Sequence, residues 1–136
     1  MPYLELKSYL SSDIARAPLI QISGLNQAAF LLNSHLCKKW KLPLSHSGAK
    51  RSTLLDRINS CGVWEGNVFE VIAVQMDSDI DFLLNIIACD DDSERTNRKA
   101  LFDPVMKYIG ISILSHREYD KCVVIVLAEA FREFDQ

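Results

Sequence analysis

Leu25, Ala28, Ala29, Leu32 and Leu36 recur at helical spacing and mark one buried stripe. The spacing predicts a helix that Ser23 caps and that ends near Trp40, before Pro43. A second stripe, Ile80, Leu83, Leu84 and Ile87, is widened by Phe82 and Ile86, so its helix packs on a large surface. Tyr3, Leu4, Leu6, Tyr9 and Leu10 outline a short amphipathic helix over residues 3–11, broken at Ala17-Pro18-Leu19. Thr53 to Ser60 reads as a short helix stopped by Gly62. Arg95 to Phe102 reads as another, its start supplied with acids by Asp90, Asp91, Asp92 and Glu94. Asn67 to Gln75 and Tyr108 to Leu114 are rich in β-formers and read as strands.

Cys122 to Ala128 is apolar at every position, the pattern of a strand covered on both faces. A sheet with such a strand needs a layer on each side, and the chain offers helices. The expected fold is therefore α/β, a three-layer α/β/α sandwich with a small, mainly antiparallel sheet. Residues 1–14 form an N-terminal helical extension in this reading, and residues 15–134 form one domain.

Composition narrows the function classes. Hydrophobic residues are 49% of the 136, so the chain is globular. Its net charge is −3 and its 15 Lys and Arg are scattered, which argues against a nucleic-acid partner. The first residues lack the cationic start and apolar core of a signal peptide, and no apolar run is long enough to span a bilayer. An intracellular location follows as the expectation, or a secreted one if the chain is a processed fragment. Cys37, Cys61, Cys89 and Cys122 lie far apart with no CxxC pair, so they read as reduced thiols without a zinc-ribbon pattern. Neither a nucleophile motif nor a glycine-rich phosphate loop is present. No catalytic residue and no cofactor are expected.

An ordered series of motifs resembles the CAP superfamily of cysteine-rich secretory, antigen 5 and pathogenesis-related proteins, in its bacterial and protist branch. Ala17-Pro18-Leu19 leads into the first long helix. Ser45-His46-Ser47-Gly48 is similar to the family's histidine motif, and Arg57 and Gly62-Val63-Trp64 follow. Phe69-Glu70-Val71-Ile72-Ala73 stands for the GENIA segment. Cys89-Asp90-Asp91 and Arg95 to Phe102 come next, then Gly110, His116 to Tyr119 and Val123 to Phe131. The series runs from about Ala15 to Phe134.

The resemblance implies an α/β/α sandwich with a cleft of two histidines and two acids, able in some members to hold a divalent metal. Here His46 and Glu70 are kept, while the second histidine is Asn97. Phe69 and Val71 replace the residues that flank the family glutamate, and the second family acid has no counterpart. The cleft His46, Glu70 and Asn97 thus reads as degenerate, without metal, and His46 is expected to pair with Glu70 as a structural contact.

The expected role is a non-enzymatic structural or interaction subunit of a protein assembly. The alternatives are a lipid-, sterol- or protein-target-binding module and, more weakly, a metal-dependent hydrolase. The expected partner-binding residues are Tyr3, Leu6, Tyr9, Trp64, Phe131 and Phe134, whose aromatics would serve as anchors.

Overall fold

A computed structural model describes residues 18–37, 48, 52–75, 96–115 and 121–134. The helices expected over residues 3–11 and Ile80 to Ile87 lie outside the described residues, as do Tyr3, Leu6, Tyr9 and His46. In chain order the elements are β1 (Ile20–Gln21), α1 (Ser23–Leu36), α2 (Leu54–Cys61), β2 (Gly62–Gln75), α3 (Thr96–Phe102), β3 (Tyr108–Ser115) and β4 (Lys121–Glu133). The strands form one mixed sheet in the order β1-β3-β4-β2. β1 is parallel to β3, whereas β4 is antiparallel to both of its neighbours.

β4 sits inside the sheet, and this explains its unbroken apolar run. Cys122, Val124, Val126 and Ala128 face the stripe of α1 and Ile58 of α2. Val123, Ile125 and Leu127 face the other way, toward Val71, Ala100 and Met106. Leu25, Ala28, Ala29, Leu32 and Leu36 are all fully buried, as the helical spacing requires. Each buried Leu or Val contributes roughly 1.5–3 kcal/mol relative to exposure.

The expected three-layer α/β/α sandwich is corrected. α1 and α2 cover one face of the sheet, but among the described residues the other face carries the seven-residue α3, the turn that follows it and Leu19. Among the described residues strand outweighs helix, and the domain is a small sheet-rich α+β fold. The inference from β4 to two helical layers overreached, because a short helix and a connecting segment also keep water from an apolar face.

Local sequence chemistry sets the element ends, not always as expected. Thr53 and Asp56 form a reciprocal capping box at α2, with bonds of 2.9 and 3.2 Å. Gly62 ends α2 and at once begins β2, so the strand starts well before Asn67. β2 bulges between Glu65 and Val68, where Gly66 takes φ +78°. The Glu129 carboxylate there accepts the Asn67 N–H at 3.0 Å.

Ser23 does not cap α1 as the sequence suggested. Ile22 is the N-cap and makes no side-chain bond. Glu133, the last residue of β4, accepts both the Ser23 hydroxyl and the Gly24 N–H, the latter at 2.7 Å. A carboxylate from a remote strand thus meets the positive end of the helix dipole. These bonds, the Ser23 hydroxyl first, hold the Glu133 carboxyl below its usual value of 4.5. Its stabilising effect is therefore complete above about pH 4.5 and is lost as pH falls through the depressed folded value. Glu133→Gln is expected to flatten the acid limb of a stability–pH curve between pH 2 and about 5. An acid limb identical to that of the wild type would remove this cap from the account.

Candidate functional site

Alternation along β2 puts Val68, Glu70 and Ile72 on the face that carries α1 and α2. Glu70 stands opposite Val126 in the register, so a carboxylate is driven into the apolar layer. A buried carboxylate needs a partner. α2 and β2 meet at Gly62, and this tight connection brings Arg57 of α2 over Glu70. Arg57 Nη2 donates to both carboxylate oxygens, at 2.8 and 2.7 Å. Each side chain is 2% exposed.

The guanidinium is held from a second side. Its Nη1 donates to the Ser52 carbonyl at 3.0 Å, and the same carbonyl accepts the Gly48 N–H at 2.9 Å. Gly48 is buried, and a Cβ there would stand 2.5 Å from Ser52 Oγ and 3.2 Å from Arg57 Nη1. The glycine that closes the histidine motif therefore lies against the ion pair, and a larger residue there would have to displace the Ser52 hydroxyl and press on Arg57.

Three residues of the motif series, Gly48, Arg57 and Glu70, are thus brought together. Asn97 belongs to α3, whose Ala100 packs on the opposite face of the sheet from Glu70. Arg57 as a partner of Glu70 was missed in the sequence, although the signal was present: an Arg within a helix otherwise packed by Leu54 and Ile58. Among the described residues no three His, Cys, Asp or Glu side chains converge on a point.

The expected partner-binding aromatics divide. Phe134 is 52% exposed and available. Trp64 is half-buried, with its indole N–H donated to Asn59 Oδ1 at 2.6 Å. Phe131 is corrected from anchor to core: it is buried opposite Trp64, and its ring lies so close to Gly24 and Gly62 that neither has room for a Cβ. No described helix is long and apolar enough to cross a membrane.

The fold and the site define a small α+β domain built over a buried Arg–Glu pair. No family model matches the chain, and no curated protein does. It is similar to a solved structure, that of an outer surface protein from Borrelia burgdorferi, with a TM-score of 0.64 and 18% identity over 91% of this chain and 92% of that one. At that identity the likeness concerns the fold.

Proposed function

We propose that the chain is a non-enzymatic CAP-like protein that works as a structural or interaction subunit of a protein assembly. The observation that supports this reading is the state of Glu70. In the family that the motif series resembles, this carboxylate faces a cleft and its chemistry. Here it is buried and bound through both oxygens by Arg57. A metal-dependent hydrolase reading would need that carboxylate as ligand or base, and Asn97 would stand for imidazole on a metal that prefers it. The CAP likeness rests on the ordered motifs and not on the layering of the fold.

The structural neighbour is named as an outer surface protein, and a surface or secreted location is part of this proposal. An intracellular location finds no support and is not carried forward.

The full chain, purified gently from its source and sized by light scattering, is expected to run as an assembly with a partner at fixed ratio. Calorimetry with zinc is expected to give no site tighter than about micromolar, an affinity worth about 8 kcal/mol. A monomer that binds zinc stoichiometrically below that concentration would overturn the reading.

A further inference from the structure

Cys37 and Cys122 are roughly 85 residues apart in the chain, yet the fold brings both to Asn33 and to one hydrophobic cluster. Cys37 is the C-cap of α1, and Cys122 begins the buried run of β4. Asn33, fully buried in the α1 stripe, touches both. Its Nδ2 donates to the Cys122 carbonyl at 2.9 Å, and its Oδ1 accepts the Cys37 thiol at 3.6 Å. Cys37 packs against the buried cluster that holds Cys122, and each thiol influences the other's titration. Both are free, Cys122 with no exposure and Cys37 half-buried at the helix end. Cys61, the third free cysteine among the described residues, lies at the end of α2 against Ser60.

We propose that Cys37 and Cys122 are a dithiol that a low-molecular-weight disulfide, such as glutathione disulfide, oxidises to a cross-link between α1 and β4. Cys37 is the entry point because it alone of the two reaches solvent. Its thiol gives a proton to water, and the thiolate attacks one sulfur of the oxidant. The oxidant's S–S bond breaks and one glutathione thiolate leaves with the electron pair. Cys122 then loses its proton and attacks Cys37 Sγ, and the second glutathione thiolate leaves. Two protein thiols and one disulfide become one protein disulfide and two small thiols, a two-electron exchange.

The surroundings set the pace. Burial raises the Cys37 thiol, and burial followed by the neighbouring Cys37 pushes Cys122 up to about 12. The thiolate is the nucleophile, so the reaction is slow near neutrality and speeds up about tenfold per pH unit. Such a pair behaves as a lasting staple and not as a rapid exchanger.

The test uses the folded full chain incubated with excess glutathione disulfide at about pH 7.5 and 8.5. Acid quench, alkylation in denaturant and peptide mapping follow. The expected product is a Cys37–Cys122 linked peptide, formed about tenfold faster at the higher pH. The midpoint of thermal unfolding should rise by about 10 °C and return on reduction. Cys61→Ser should leave the cross-link unchanged. Cys37→Ser should abolish it, and Cys122→Ser should trap glutathione on Cys37. A wild-type chain that keeps all four thiols alkylatable, holds a lasting glutathione adduct on Cys37, or links another pair would overturn the proposal. Should Cys122→Ser fail to fold, the wild-type map and Cys37→Ser decide the matter.

Discussion

Arg57→Met is expected to lower the stability of the domain by about 3–5 kcal/mol, read from urea unfolding. Methionine fills much of the space of the arginine stem but takes the guanidinium donor from the Glu70 carboxyl in the apolar layer. Glu70 is 5% exposed overall, and water has little access to replace the lost donors. The penalty arises mainly from a buried carboxyl that has lost its two-oxygen donor and less from the lost attraction. Glu70→Leu is expected to cost a similar amount, because it takes the carboxylate from a buried guanidinium. An unfolding midpoint unchanged by either substitution would show that the pair is solvated.

Gly110→Ala is expected to be the most damaging small change in the sheet, at about 3 kcal/mol or more. Gly110 is buried in β3 where α1 crosses it, and a Cβ would run into the Leu25 carbonyl group and the Asn26 nitrogen. These are backbone atoms and cannot step aside as a side chain can. The crossing is also pinned by Asn26, whose Oδ1 accepts the Ile111 N–H at 2.9 Å and so continues the edge that β1 leaves at Gln21. Moving α1 outward to admit a methyl group breaks that bond and opens the core under Leu25. Ile113→Thr, at a position 54% exposed, serves as the control and should change stability by about 0.5 kcal/mol or less. Equal midpoints for Gly110→Ala and the wild type would disprove the close crossing.

The legible parts of this fold are those set by local period. The α1 stripe, the doubly covered β4 and the stop at Gly62 can be read directly, because burial at fixed spacing leaves a periodic trace. The extra length of β4 was hidden by Glu129, Arg132 and Glu133, although Phe131 between them keeps the strand alternation. β1 was hidden by its length, since two residues carry no period.

Long-range polar partners were the least legible. Glu70 among Val68, Phe69, Val71 and Ile72 announces a buried carboxylate in need of a donor. Nothing local says that Arg57 is a donor to it, and the expected pairing with His46 lies outside the described residues. Asn33 shows the same limit. Its place in the α1 stripe signals a satisfied buried amide, while its partners on Ser112 and Cys122 lie about 80 and 90 residues away. The pairing is a property of the closed sheet, and only the closed sheet displays it.

The central claim is that Glu70 is committed to Arg57 and holds the domain together in place of performing chemistry. A double-mutant cycle of Arg57→Met and Glu70→Leu, measured by urea unfolding, tests it most directly. The expected result is that the double substitution costs at least about 2 kcal/mol less than the two single losses together, since an apolar pair restores a neutral, filled layer. Additive losses, with the double variant as unstable as the sum of the singles, would contradict it.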